Sequence, residues 1–484
     1  MLNEVEVVNN KKVACVGNFT SDQAKAYKNI IEFINAPYDC NDYKRALVGA
    51  AGTGKTYLVK SLIQNCKLNY SQIGLAAPTH KATRVLSESI KIKAVNTLAS
   101  DLGLRVNFNI ENFDIKNIPF DPKGRVKIGD YQLYIVDEAS MINKGLLNYL
   151  EKICRENECK ILYIGDDYQL APVKEFVSLA FKNIKLFKLT QVVRQGNDNP
   201  VSHLLNLLRY DIEHKTFTFL EYIVKHPYQY NEGGTKGYQV CDSKKFKEIV
   251  CSYFSDEQLK NNIDYVKVIS YTNDNVSGWN KYIRNSIIDN AETSIITKND
   301  LIISYDTIVN EFNDNIITNS EEYVLKDVVN YVDPKYNLKG YMVRFIAIHG
   351  GGVSTPLFIL DHTDKFSLNM YVKISNELID AAKSAPSVCR AARWRDYFEF
   401  KQKVLLLTNI KKIDNTMLFS RNLDYGFALT AHKSQGSTFN VALVDVNDIV
   451  YDSKGKPWGN IEETNRRLYV ACSRCKDKLY LKYG

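Results

Sequence analysis

Eight consecutive residues, Gly49-Ala50-Ala51-Gly52-Thr53-Gly54-Lys55-Thr56, spell a glycine-rich loop that ends in Lys-Thr. Glycines at these positions let backbone N–H groups turn inward onto the oxygens of a polyphosphate. Lys55 would then reach the β- and γ-phosphates, and the Thr56 hydroxyl would hold Mg²⁺. Such a loop needs a carboxylate to complete the metal shell, and Tyr134-Ile135-Val136-Asp137-Glu138 offers two acids after an apolar run. Asp137 suits the metal, through water, and Glu138 suits orienting or deprotonating an attacking water. In a third string, Gly165-Asp166-Asp167-Tyr168-Gln169-Leu170-Ala171-Pro172, Gln169 could sense the γ-phosphate or that water. An Asp-rich turn is the other reading of that string.

These strings need strands to carry them. Residues 45–48, 73–77, 131–136, 160–164 and 184–189 are apolar at most positions, and 57–66 has helical spacing. Apolar runs alternating with helices predict a parallel sheet covered on both faces, with ligands bound at the carboxyl ends of its strands. Residues 104–129 interrupt the rhythm with Asn, Pro and Lys-Gly-Arg, and read as an insertion with a hairpin. A second alternating unit starts at 266–270 and resumes at 426–430, 441–444 and 478–481. From about 301 to 415 the pattern turns to period two, as at 341–346 and 355–360. The glycines of His349-Gly350-Gly351-Gly352 have no helix after them, so a hairpin turn is expected there rather than a phosphate cradle.

Composition narrows the setting. With 45% hydrophobic and 24% charged residues among 484, the chain is neither disordered nor fibrous. No run approaches the roughly 18 apolar residues that span a bilayer, and the N-terminus lacks the pattern of a secretory signal. No membrane partner is expected. The ten cysteines are scattered, which predicts reduced, packed thiols, and Cys472 and Cys475 have no second ligand pair for a metal. The excess of 63 basic over 55 acidic residues, +8, suits a polyanion but decides little alone. An intracellular, cytoplasmic protein of a bacterium or phage-infected host is expected.

Taken in order, the strings resemble those of the superfamily 1 DNA helicases, in the RecD-like, 5′→3′ branch that includes the Dda helicases of bacteriophages. Phe19-Thr20-Ser21-Asp22-Gln23 resembles the Q motif, which implies that Gln23 reads adenine. Ala77-Pro78-Thr79-His80-Lys81-Ala82 resembles motif Ia, and the 137–141 and 165–170 strings resemble motifs II and III. Leu189-Thr190-Gln191-Val192-Val193-Arg194 carries the arginine expected in motif IV. Thr430-Ala431-His432-Lys433-Ser434-Gln435-Gly436-Ser437-Thr438 is close to motif V, and Leu468-Tyr469-Val470-Ala471-Cys472-Ser473-Arg474 matches motif VI, with Ser473 in place of the usual Thr. Near Val95-Asn96-Thr97-Leu98 the family has a histidine where Leu98 stands, which leaves Thr97 as the contact.

The resemblance implies ATP and Mg²⁺ as cofactors and single-stranded DNA and duplex forks as partners. It places Arg194 and Arg474 as fingers on the transition-state charge, and Gly436 with the phosphate loop at the nucleotide. Pro78, Thr79, His80, Thr97, His432 and Lys433 would contact DNA through phosphate and sugar, without sequence information. The expected fold is α/β: two RecA-like P-loop domains, 1–195 and 196–300 with 416–484. The first would carry a small hairpin, the strand-separating pin at 104–129, and the second an inserted β-rich, SH3-like domain at 301–415. The Trp394-Arg395-Asp396-Tyr397 segment is read as a helical strut.

Two activities share every motif: a 5′→3′ helicase, and a single-strand-stimulated ATPase that translocates or displaces bound proteins without unwinding. A P-loop kinase would have no use for the second α/β unit, and a pure DNA-binding module would not need Glu138. A monomer is expected, with a single-strand-binding protein or replication proteins as further partner candidates.

Overall fold

A computed structural model describes residues 19–91, 95–106, 120–122, 124–172, 175, 178–191, 199–309, 315–348, 352–411 and 417–484. The chain forms two compact units, the first Met1–Leu104 with Pro122–Asp198 and the second Arg105–Asp121 with Asn199–Gly484.

The described residues before Asn199 contain eight strands, of which β4 and β5 cluster mostly with the second unit. These are β1 (Lys44–Gly49), β2 (Ile73–Ala77), β3 (Val95–Thr97), β4 (Leu104–Val106), β5 (Phe120–Pro122), β6 (Leu133–Val136), β7 (Lys160–Gly165) and β8 (Lys185–Leu189). Six of them form a sheet in the order β3-β2-β6-β7-β1-β8, every pair parallel. β4 and β5 pair only with each other, as a small separate ladder. Helices α1 (Ser21–Asn35), α2 (Lys55–Asn65) and α3 (His80–Ile90) cover one face, and α4 (Leu98–Asp101) and α5 (Lys144–Glu156) the other. Alternate residues of β6 feed the two cores: Leu133 and Ile135 pack with α1–α3, whereas Tyr134 and Val136 pack with α5. Burial on both sides is why these strands are apolar at nearly every position. Helix starts are fixed locally. Thr20 and Gln23 form a reciprocal capping box at α1, and Thr79 and Asn143 cap α3 and α5.

The second unit contains a sheet ordered 428–430, 266–270, 439–445, 475–482, 237–241, 228–230, parallel except at its last pair. A second six-stranded sheet, mostly antiparallel, is assembled from Val404–Leu405, Leu357–Leu360, Leu338–Ala347, Glu322–Asp333, Leu301–Ser304 and Leu423–Tyr425 in that order. Period-two texture correctly marked this sheet. The same stretch also holds two long helices, Lys365–Ser384 and Ser387–Lys403. The second of these buries only Trp394, Tyr397 and Phe400, about one residue per turn, so its apolar signal is thin. Trp394 and Tyr397 are 1% and 2% exposed, as a strut requires. The glycine turn at 349–351 lies outside the described residues.

Two buried ion pairs brace this unit, one between its two sheets and one between the helix Asn273–Ile287 and the start of the strand Leu301–Ser304. Lys267 meets Glu322, both almost fully buried, and its ammonium also donates to the Gly426 carbonyl at 2.7 Å. Arg284 grips Asp300 with two bonds, 2.8 and 2.9 Å, and spends a third nitrogen on the Ala291 and Ser294 carbonyls. Among the described residues, no helix is long and apolar enough to cross a membrane.

Candidate nucleotide site and nucleic-acid interface

Strand order brings the first three strings together. The glycine loop leaves β1, the Gln169 string leaves β7 beside it, and Asp137-Glu138 leave β6 on the far side of β7. Three neighbouring parallel strands thus deliver all of them to one edge of the sheet. Gly52 and Gly54 have φ of +84° and +82°, values that L residues rarely adopt. A Cβ on Gly49 would stand 2.7 Å from Thr53 Oγ1 and 2.8 Å from the Leu189 carbonyl, so glycine there lets the loop lie against β8. No side chain caps α2, so its first N–H groups point into the loop. The Lys55 ammonium donates to the Gly49 and Ala50 carbonyls of the same loop. An uncapped helix start, two left-handed glycines and a lysine curled over the loop fit a polyphosphate.

The acids sit where the sheet ends. Burial pushes the Asp137 carboxyl above its usual range, against the Glu138 N–H bond at 2.9 Å and the charge of Lys55. A metal cation would offset that cost, which fits the Mg²⁺ expected there. Glu138 has φ +49° and ψ +39°, a left-handed conformation that costs a non-glycine residue about 1–2 kcal/mol. Strain of this kind is retained where a side chain must be aimed. Gln169 is buried, in a turn closed by its N–H to the Asp166 carbonyl at 3.2 Å. Asp167 of the same turn pairs with Lys188 at 3.0 Å. The string is therefore a tight Asp turn that also carries a glutamine.

Gln23 is 1% exposed, and both ends of its amide are engaged. Its oxygen accepts from the Thr20 N–H at 3.0 Å, and its nitrogen donates to the Thr53 carbonyl at 2.8 Å. Expected as a reader of adenine, it here braces the phosphate loop against α1. Its neighbour Asp22 was missed by the sequence reading, although it stands beside Gln23. Its carboxylate accepts from Thr190 N–H (2.6 Å), Thr190 Oγ1 (3.1 Å) and Gln191 N–H (3.2 Å). Arg194, three residues further on, lies outside the described residues.

The residues expected on DNA occupy strand ends in each unit. Ala77 pairs with Thr97, so Pro78, Thr79 and His80 after β2 lie beside Thr97 at the end of β3. Thr79 accepts from the Ala82 N–H at 3.2 Å and Thr97 from the Ser100 N–H at 3.3 Å. Each cap uses an acceptor and leaves the O–H to donate, which a phosphate requires. His80, Thr79 and Pro78 are all half-buried.

In the second unit, Thr430–Thr438 follow the strand 428–430 as a run of tight turns, with Gly436 at φ +73°. Burial, then the charge of Arg467, push the His432 imidazole below its usual range. Lys433 donates to Ser320 Oγ at 2.9 Å and lies 4.3 Å from the Tyr305 ring centre, with Arg421 at 4.2 Å from the same centre. Burial, then repulsion by Arg421, bring its ammonium down to about 8. No local pattern hints at these partners, which lie in turns next to the strands 301–304, 322–333 and 423–425. Arg474 is 5% exposed, and its guanidinium donates to Val470 O (3.0 Å), Ser437 O (3.0 Å) and Ser473 Oγ (2.8 Å). It thus ties the helix 461–472 to the 430–438 turns.

A P-loop NTPase built on a parallel α/β sheet is the class that this fold and site define. The AAA domain family matches residues 20–222, which include the glycine loop, both acids and Gln169. An uncharacterised protein, R530, of Acanthamoeba polyphaga mimivirus is 22% identical over 95% of this chain and 99% of its own length. The ATP-dependent DNA helicase Dda of enterobacteria phage T4 is 26% identical over 57% of this chain and 60% of its own. The ATP-dependent RecD2 DNA helicase of Deinococcus radiodurans is 31% identical over 32% of this chain. The chain covers 60% and 20% of the lengths of these two helicases. The chain is thus similar to these two helicases over part of its length, and the matching family model ends at residue 222.

Proposed function

We propose that the chain is an ATP-dependent DNA helicase that moves 5′→3′ on single-stranded DNA and separates duplex strands at forks. The observation that carries the reading is the delivery of Lys55, Asp137-Glu138 and Gln169 to one sheet edge by β1, β6 and β7. The helicase names of two relatives support the DNA side of it. Thr56 and Asp137 would hold Mg²⁺, whose charge would draw in the phosphates. Glu138 and Gln169 would orient the attacking water, and Arg194 and Arg474 would offset charge on the transferred phosphoryl. Gln23 and Gly436 would border the nucleotide. Pro78, Thr79, His80, Thr97, His432 and Lys433 would track the DNA backbone.

This reading takes 1–195 as the first motor domain, 196–300 with 416–484 as the second, and 301–415 as an SH3-like insertion. It takes the protein as an intracellular monomer that works beside single-strand-binding or replication proteins. The test is ATP turnover with and without single-stranded DNA, then opening of duplexes bearing a 5′ or a 3′ tail. Stimulated turnover with opening from the 5′ tail alone is expected. Stimulated turnover with no opening would leave a translocase, and opening from the 3′ tail would reverse the polarity. Turnover retained by Lys55→Ala would overturn the nucleotide site itself.

A further inference from the structure

Asp101 is a carboxylate in the core of the first unit, 1% exposed, and none of the motifs accounts for it. Three elements converge on it. The Tyr134 hydroxyl, itself fully buried, donates to Asp101 Oδ2 at 2.9 Å. Tyr134 lies on β6, three residues before Asp137. On the return side of the insertion, the Lys127 ammonium stands 3.5 Å from Asp101 Oδ1, and the Lys127 N–H donates to the Asp101 carbonyl at 2.9 Å. From β3, the Asn96 side chain lies close enough to favour the charged form of the carboxylate.

The root of the insertion is just as tight. Gly103 has φ +63°, and a Cβ there would come within 2.6 Å of the Gly124 carbonyl oxygen. The Gly124 N–H donates to the Gly103 carbonyl at 2.8 Å. The two chain ends of the insertion therefore cross in backbone contact, and β4 and β5 pair just beyond. A buried carboxylate is costly to desolvate, and an apolar pair would fill the same space at less cost. Burial pushes the Asp101 carboxyl up, against the bond from Tyr134 and the charge of Lys127. An acid kept here serves direction, because its bonds fix the Lys127 segment against the strand that carries Tyr134.

Resting on the helicase reading, we infer that Asp101 is a positioning residue that fixes the root of the insertion, at Gly103 and Gly124–Lys127, to the strand bearing Asp137 and Glu138. Through this joint the Gly124–Lys127 segment follows the strand that ends at Asp137. Asp101 touches neither nucleotide nor DNA, so its loss should change how much duplex is opened per ATP rather than how fast ATP is consumed.

The test uses the full chain with Asp101→Asn, which keeps the shape and one acceptor but removes the charge. DNA-stimulated turnover should stay within about twofold of the parent, while base pairs opened per ATP fall about fivefold or more. Tyr134→Phe should fall in the same direction, and the double variant should be no worse than Asp101→Asn alone, since both cut one connection. Lys127→Met, at the more exposed end of the pair, should show the same split if Asp101→Asn does not fold, and Lys127→Arg should restore coupling. Amide exchange at Gly124 and Lys127 should quicken in Asp101→Asn, whatever the activity. Turnover and opening falling together, or exchange unchanged, would overturn the joint. A parent that opens no duplex would instead overturn the helicase reading and leave exchange to decide the joint.

Discussion

The Asp22 carboxylate accepts hydrogen bonds from both the N–H and the hydroxyl of Thr190, at 2.6 and 3.1 Å. The start of α1 is thereby fastened to the chain leaving β8, on the path toward Arg194. Burial pushes this carboxyl up, but bonds from Thr20, Thr190 and Gln191 outweigh it and bring it to about 2. A depressed folded pKa means that the stabilisation is present above the unfolded value of 3.8 and is lost as pH falls toward 2. Asp22→Asn should therefore cost about 1–2 kcal/mol at pH 7, the full linkage being discounted for partial solvent screening. Urea unfolding at pH 7 and near pH 2 should show parent and variant apart in the first case and converging in the second.

Much of the first unit could be read from sequence because its strands are buried on both faces. Apolar runs such as Lys160–Gly165 have no exposed alternation to confuse with a helix, and their ends carry the glycine loop and the acids. Strand order is different. That β7 separates β1 from β6 depends on the pairing of β1 with β7, as of Ala46 with Tyr163, far apart in the chain, which no local pattern encodes. The same limit hid Asp22, whose partner lies 168 residues away. It hid the setting of Lys433, whose partners Ser320 and Tyr305 lie in turns over a hundred positions earlier. Gln23 was singled out by its string, but only the fold shows its amide spent on Thr53. Of the two helices within 365–403, the strut at Trp394–Tyr397 was read from sequence although arginines at 390, 393 and 395 dilute its apolar period, whereas Lys365–Ser384 was not read.

Glu138 offers a separation of stability from turnover. Its left-handed backbone, φ +49°, is a property of the position and not of the carboxylate. Glu138→Gln keeps that conformation and removes only the base. The variant should bind ATP and Mg²⁺ through Lys55, Thr56 and Asp137, keep the parent Tm, and hydrolyse about 10²–10⁴-fold more slowly. Nucleotide titration, thermal melting and single-turnover hydrolysis on one preparation would check the three parts. Loss of nucleotide binding would make Glu138 a structural or metal residue.

The Lys267–Glu322 pair should answer differently to single and double substitution. Both side chains are almost fully buried, so removing one leaves an uncompensated charge. Lys267→Met should lower stability by about 3–5 kcal/mol, mostly seen as a lower Tm of the second unit. Adding Glu322→Leu should recover most of the loss, because an apolar pair of similar volume avoids the desolvation cost. A double variant no more stable than Lys267→Met alone would show that the pair contributes shape and not charge balance.

Lys433 gives the last prediction, and the pH sets its sign. Its ammonium titrates at about 8 in the folded chain, against an ordinary 10.5, because burial and the nearby Arg421 both oppose the charge. Below pH 8 the charged form weighs against the fold, and that cost fades as pH rises from 8 toward 10.5. Stability should therefore rise slightly over this interval. If the ammonium also meets a DNA phosphate, affinity should move the other way, since raising the pH removes the cation. Each phosphate neutralised contributes about −0.7 to the slope of log affinity against log salt on single strands. Between pH 7 and 9.5 the parent should lose about one such contribution, and Lys433→Gln should show the shallower slope at both pH values. His432, with its pKa pushed below the usual range, is neutral at pH 7, so His432→Ala should weaken binding there without changing the slope. Salt titrations of single-strand binding at the two pH values would check all three. A parent slope that does not change with pH would remove Lys433 from the DNA contacts and leave it as the bracket that holds Ser320 and Tyr305 to the 430–438 turns.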